Sequence, residues 1–271
     1  MGETTGIGWC HHTRNYWMGC TKVGPGCDFC YAERDSLRWG RDIWGDDQPR
    51  TYCGDGASRE VRKWNRKALA EGIRRRLFVN SFSDVLDHRA EQAWRDRIVE
   101  DAWECTALDF LLLTKRIGNA PRMLPAQLPP NVWLGISAVN RAELHRDTPK
   151  LKRIKARVHW LSYEPALGPL AGGDLRILHE FGWIVWGGES GSRARPVDMG
   201  TLRNLHLWRA EGHLPPLFVK QFGELHARNN RWKHPHGAAP SEWPAWARIQ
   251  EFPPCPGGAV HPDQSPDAPP D

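Results

Sequence analysis

No apolar run in this sequence approaches the roughly 20 consecutive residues that a membrane-spanning helix needs, so no helical membrane span is expected. The opening Met1-Gly2-Glu3-Thr4-Thr5-Gly6 has neither the basic stretch nor the long apolar core of a signal peptide. Cysteines number seven, an odd count, and with no export signal a disulfide framework is not expected. The expected setting is the cytoplasm, where reduced thiols serve metals or catalysis. Strong charge of one sign is also missing. A net charge of +5 and a pI near 8.9 suit solubility, and they permit a nucleic-acid or phosphate-bearing partner without demanding one.

One residue type is abundant. Fifteen tryptophans in 271 residues exceed what an ordinary core uses. Most are expected in the core or lining a groove, and indoles also stack on nucleosides. The length is enough for one substantial core, and α/β barrels of this size are often single domains.

Residues 1–50 read as a short strand, a long loop and a helix. Thr13-Arg14-Asn15-Tyr16-Trp17-Met18-Gly19 is β-prone, and Tyr31-Ala32-Glu33-Arg34-Asp35-Ser36-Leu37-Arg38 looks helical. After residue 76 short apolar runs recur: Leu77–Asn80, Phe110–Leu113, Val132–Ile136, Val158–Leu161, Trp183–Trp186 and Leu217–Lys220. Between them lie helical patterns such as Ala90–Val99 and Met199–Trp208. Apolar strands alternating with helices indicate a parallel sheet covered by helices. The expected fold is α/β: a full or partial (β/α) TIM-like barrel of about six to seven parallel strands. The barrel domain is read as 1–225, with a C-terminal extension over 226–251. A Pro- and Gly-rich tail over 252–271 is expected to be disordered.

Each apolar run ends in polar, charged or glycine residues, and parallel α/β folds build their sites at the strand C-termini. These ends supply the candidate binding residues: Ser81, Asp84, Lys115, Arg116, Ser137, Asn140, Glu164, Gly187, Gly188 and Glu189. Arg193 and Arg195, in the next loop, could clamp a phosphate or carboxylate, or could be surface arginines.

The sharpest local signal is Cys20-x6-Cys27-x2-Cys30. Cys-x2-Cys sets two thiolates on one turn, and Gly24-Pro25-Gly26 lets Cys20 fold back onto the same centre. Soft thiolates select an iron–sulfur cluster or zinc. Three ligands leave one coordination position open, as a catalytic centre needs. In the zinc case Cys10, His11 or His12 would be the fourth ligand. Cys53, Cys105 and Cys255 are scattered, and Cys105 reads as core.

The segment Ile7–Glu33 resembles the opening of the phage Gp37/Gp68 family. Further resemblance lies in Phe78–Asp84, Leu113–Arg116, Asn131–Ser137, Glu164-Pro165, Val185–Gly191 and Phe218–Gly223, in family order. More distantly, the cysteine loop after a first strand is similar to that of radical S-adenosylmethionine (SAM) enzymes. It has six residues between the first two cysteines where those enzymes usually have three.

The second resemblance implies a 4Fe–4S cluster on Cys20, Cys27 and Cys30, with one iron open to SAM. It implies reductive cleavage of SAM and hydrogen abstraction from an unknown substrate. In such a site Asp84 and Ser81 suit the sulfonium and amino group, and Lys115, Arg116 or Ser137 the carboxylate. Asn140 or Glu164 suits the ribose, and Gly187-Gly188 lets an adenine approach the backbone. Glu189 joins this site or caps the segment after it. The substrate could be a nucleic acid or nucleotide, with a companion protein as partner. The alternative is a non-catalytic, zinc- or cluster-bearing nucleic-acid-binding protein, motivated by the net charge, Arg74-Arg75-Arg76 and the tryptophans.

Overall fold

The computed structural model describes residues 3–255 and His261. Seven strands form one parallel sheet in chain order: β1 (His12–Arg14), β2 (Arg75–Val79), β3 (Leu108–Thr114), β4 (Val132–Ser137), β5 (Val158–Tyr163), β6 (Trp183–Gly187) and β7 (Leu217–Gln221). The helices α1 (Tyr31–Arg38) and α2 (Gly54–Ala70) lie between β1 and β2. The later crossovers carry α3 (Gln92–Glu104), a helical turn at Ala120–Met123, α4 (Arg141–Leu151), a turn at Leu175–Leu178 and α5 (Met199–Ala210). A short α6 (Glu224–Asn229) follows β7. Repeated crossovers of one hand put the helices on one face of the sheet and curl it. The edge strands β1 and β7 do not pair, so the barrel is a partial one. Among the described residues no helix is long and apolar enough to cross a membrane.

The apolar runs read as strands after residue 76 are all strands. The first strand is shorter than expected. It ends at Arg14, and Trp17–Met18 pairs instead with Thr51–Tyr52 in a separate antiparallel ribbon. Side-chain amides cause the break. Asn15 Oδ1 accepts from the Phe82 N–H at 2.9 Å, and the Tyr16 N–H donates to Asn80 Oδ1 at 2.8 Å. These bonds occupy groups that a continuing ladder would use. Helix α2 was not among the helices read from the sequence, because it opens on Gly54-Asp55-Gly56, which looks like a turn.

The strands alternate strictly between two apolar layers. Leu77, Val79, Phe110, Leu112, Leu134, Ile136, Leu161, Ile184, Trp186, Leu217 and Val219 belong to the layer that packs on the helices. Phe78, Leu111, Trp133, Trp160, Trp183, Val185 and Phe218 face inward and pack with Trp9 and Cys10. Four of the fifteen tryptophans lie in this inner layer. The Trp160 and Trp183 rings lie 5.5 Å apart, Trp133 meets Trp183 edge-on at 5.9 Å, and Trp9 meets Trp160 at 5.4 Å. Four indoles close the N-terminal end of the half-barrel, each adding about 1.5–3 kcal/mol of burial.

Phe252, assigned to the tail on composition, packs on Trp183 and Phe218 and under the Arg76 guanidinium at 3.7 Å. His261 is buried and stacks on His11. The rest of the expected tail, 256–260 and 262–271, lies outside the described residues. Arg74-Arg75-Arg76 does not form a basic surface. Arg74 pairs with Asp109, Arg75 with Glu71, and Arg76 is buried with its Nε on the Trp9 carbonyl. Cys105 caps the end of α3 and is buried, as a core residue should be.

Gly135 makes the tryptophan floor possible. A Cβ there would sit 2.4 Å from the Trp160 indole, which lies flat across β4. Gly135→Ala is therefore expected to destabilise the fold by about 1–3 kcal/mol in urea unfolding. Gly118→Ala, in open space, should change stability by under about 0.5 kcal/mol.

Candidate metal and cofactor site at the strand ends

Because all seven strands run one way, their C-terminal ends share one rim. The loop after β1 lies across it. Cys20, Cys27 and Cys30 line a cavity of about 200 Å³ together with Ser81, Asp84, Lys115, Arg116, Ser137, Glu164, Gly188 and Glu189. Its apolar floor includes Ile7, Trp9, Phe78 and Leu113. Eleven of the thirteen site residues read from the sequence thus meet at one place, with Asn140 and Gly187 outside the lining.

The loop is seated by contacts no side chain could replace. A Cβ on Gly26 would come within 2.6 Å of Val139 and 3.1 Å of Lys115 Cε, so only glycine lets the loop lie on the rim. Cys27 closes the 3-10 turn Pro25–Cys27, and Cys30 caps the N-terminus of α1. Arg195 holds the turn from above. It donates to the Pro25 carbonyl at 2.7 Å and to Asp28 at 2.9 Å, while Glu189 grips its guanidinium at 2.6 and 2.9 Å.

The three thiols have different surroundings. Cys20 Sγ accepts a 3.4 Å bond from Arg116 Nη1. The amides of Ala32 and Glu33, in the first turn of α1, act on Cys30. Burial pushes the Cys20 thiol up to about 12, against the pull of Arg116, and raises Cys30 as well. A metal centre here would displace thiol protons as it bound.

Several rim residues do other work than the sequence suggested. Asp84, expected to face a sulfonium, spends its carboxylate on the protein's own donors. Its Oδ1 accepts from Thr114 Oγ1 at 2.7 Å and the Leu86 N–H at 2.9 Å; its Oδ2 accepts from the Lys115 N–H at 2.9 Å and pairs with Arg116 at 3.0 Å. Asn140 caps α4, accepting from the Glu143 N–H at 2.9 Å. Gly188 is required by the fold, since a Cβ would sit 2.2 Å from the Phe222 carbonyl oxygen, and a Cβ on Gly187 would press on the Glu164 carboxylate at 3.2 Å. Glu189 and Arg195 latch each other, so neither is a free clamp. His11 and His12 lie at the start of β1, the far end from the cysteines. His11 Nδ1 accepts from the Arg76 N–H at 2.8 Å and His12 bonds the Glu3 carbonyl. Cys10 is buried among the inner tryptophans. None of the three is placed as a fourth ligand.

Other groups do face the cavity. Lys115 Nζ donates to Ser137 Oγ at 2.8 Å, and Ser81 Oγ has only a long 3.5 Å bond from Asn15. Two residues were missed. Lys220 pairs with Glu164 at 2.6 Å inside the barrel. Asn80, 2% exposed and at φ 62, has its Oδ1 on the Tyr16 N–H, and its Nδ2, in the cavity lining, has no partner among the described residues. The alternation Phe218-x-Lys220 pointed to the first; nothing local distinguished Asn80 from a strand residue.

The donor set on the loop is three thiols, and soft thiolates hold iron–sulfur clusters or zinc. Among the described residues no three His, Cys, Asp or Glu side chains are grouped so as to hold a single metal ion. The Nδ2 of Asn80 and the Lys115 ammonium are the amide and cationic donors of the cavity lining.

A family model matches residues 4–246. The chain belongs to the family described as "Protein of unknown function (DUF5131)". That description is not the phage Gp37/Gp68 label, which stays a resemblance of motifs. No curated protein matches the sequence. Among solved structures, the half-barrel is similar to a mutant spore photoproduct lyase with bound AdoMet and dinucleoside spore photoproduct. The TM-score is 0.46 and the identity 12%, over 65% of this chain and 56% of that one. A second mutant of the lyase aligns at TM-score 0.47 and 13% identity, over 68% and 59%. The chain thus spans under two thirds of the length of these structures.

The Asp84–Arg116 pair organises the rim, and both side chains are under a tenth exposed. Asp84→Asn leaves the guanidinium without its charge partner and is expected to cost about 3–5 kcal/mol in chemical denaturation. Asp46→Asn, at an exposed ion pair, should change stability by less than about 0.5 kcal/mol.

Proposed function

We propose that the protein is a radical SAM-type iron–sulfur enzyme acting on a substrate held inside the half-barrel. The observation that carries this reading is three thiols on one loop, lining the same cavity as an ammonium, a buried amide donor and an ion pair. Cys20, Cys27 and Cys30 would hold a 4Fe–4S cluster. When bound, such a cluster supplies the electron that cleaves the carbon–sulfur bond of SAM.

This chain's own residues bind, orient and exclude water. Lys115, steadied by Ser137, offers the cationic donor for the SAM carboxylate. Asn80 Nδ2 offers a neutral donor held in one direction by the Tyr16 N–H. Ser81 adds a hydroxyl to the lining, and its carbonyl accepts from the Tyr31 hydroxyl at 2.8 Å. Glu164 and Lys220 pair across the same cavity at 2.6 Å. They provide a carboxylate and an ammonium for a substrate group with both donor and acceptor edges, as a nucleotide base has. The closed floor leaves the rim as the way in.

The test is anaerobic reconstitution with iron and sulfide, then electron paramagnetic resonance of the reduced protein with and without SAM. The expected outcome is a 4Fe–4S signal that changes on adding SAM. Cys20→Ala, Cys27→Ala and Cys30→Ala should each lose most of the bound iron. Stoichiometric zinc, or iron retained by all three variants, would reject the reading and favour a binding protein.

A further inference from the structure

Cys20 stands apart from the other two cysteines. Its sulfur is the one that meets a guanidinium, and that guanidinium is held from three sides. Arg116 Nη1 lies 3.4 Å from Cys20 Sγ and 3.0 Å from Asp84 Oδ2. Its Nη2 donates to the Thr21 carbonyl, and its backbone N–H donates to Thr114 Oγ1 at 2.8 Å. Asp84 is itself fixed by Thr114, Leu86 and the Lys115 N–H. The Arg116 side chain is 6% exposed, so water screens its charge little. A second buried arginine grips the same stretch without touching sulfur. Arg50 donates to Thr21 Oγ1 at 2.7 Å, to the Gly45 and Gln48 carbonyls at 3.0 Å, and to Asp87 at 2.6 Å.

The two arginines separate two tasks. Holding the segment needs hydrogen bonds to Thr21, which both supply. A charge-assisted N–H···S contact comes from Arg116 alone among the pair. Donors to ligand sulfur draw electron density from a cluster and favour its more negative, reduced state. We infer that Arg116, braced by Asp84, is a positioning residue that raises the reduction potential of the cluster held by Cys20, Cys27 and Cys30. This rests on the iron–sulfur reading above. The step is the uptake of one electron from a low-potential donor. No bond forms or breaks at Arg116, and it keeps its proton throughout.

The experiment is a redox titration of the reconstituted cluster with dithionite, followed by electron paramagnetic resonance, alongside iron and sulfide counts. Arg116→Lys keeps the charge and loses the planar fork. Arg116→Met with Asp84→Asn removes both members of the pair, so no buried charge is stranded. Arg50→Lys is the control that disturbs the grip on Thr21 only.

The expected result is a midpoint potential displaced to more negative values in the double variant. A tenfold loss of preference for the reduced state corresponds to about 59 mV for one electron. Arg116→Lys should show a smaller displacement and Arg50→Lys none. Equal potentials in wild type and both Arg116 variants would overturn the inference while leaving the iron–sulfur reading intact. Loss of iron from Arg116→Lys, with iron kept by Arg50→Lys, would overturn it too, since Arg116 would then be a loop anchor. A wild-type protein that takes up no cluster would remove the functional reading itself.

Discussion

Indole packing across β4, β5 and β6 is the constraint on which the rest of the molecule depends. A parallel sheet joined in chain order curls, and its concave side has to be filled at one end to leave a usable site at the other. Trp133, Trp160 and Trp183 fill it, with Trp9 brought in from the segment before β1. Gly135 gives up its side chain so that Trp160 can lie across β4. Above that layer the same inward-facing positions turn polar: Trp133 is followed on its face by Gly135 and Ser137, Trp160 by Ser162 and Glu164, and Phe218 by Lys220. Strand periodicity alone therefore carries the chain from a dry floor to a polar cavity within two to four residues.

Charges in so enclosed a space need partners, and this sorts the rim residues by role. Burying an unpaired carboxylate costs several kcal/mol, about 3–5 when a partner is removed. Asp84 answers with Arg116 and two backbone amides, Glu189 with Arg195, and Glu164 with Lys220. The first two pairs are saturated and brace the cysteine loop. The third is a single contact within the cavity lining, so each partner keeps capacity for a ligand. A charged residue at a strand end is thus as often a support for the site as a contact within it.

How far the sequence disclosed this depends on how local each signal is. The sheet was legible because its strands are near-continuous apolar runs closed by polar ends. Their ends located the cavity for the same reason. Helix α1 was legible to the residue, Tyr31–Arg38. The end of β1 was not, because it is set by Asn15 and Asn80, whose amides meet partners more than 60 residues away in the chain. Roles were less legible than places. Asp84 and Glu189 read as ligands until their cations were seen beside them. Gly187-Gly188 read as space for an adenine, whereas the Phe222 backbone crosses at Gly188 and the Glu164 side chain packs at Gly187. Lys220 was marked only by its alternation with Phe218 in an apolar strand.

The cysteine spacing can be argued from the same contacts. Six residues separate Cys20 from Cys27, and a longer loop has more freedom to lose when it is ordered. Here that freedom is removed at both ends by cations from the barrel itself. Arg116, just beyond β3, holds the Cys20–Thr21 end, and Arg195, beyond β6, holds Pro25 and Asp28. Between them Lys22 pairs with Glu33 of α1 at 2.7 Å, and Gly26 lies flush on Val139. The loop is therefore tied to three strand ends and to the helix that follows it. Its length serves to reach across the rim, so that the cavity is roofed by the segment that carries the thiols.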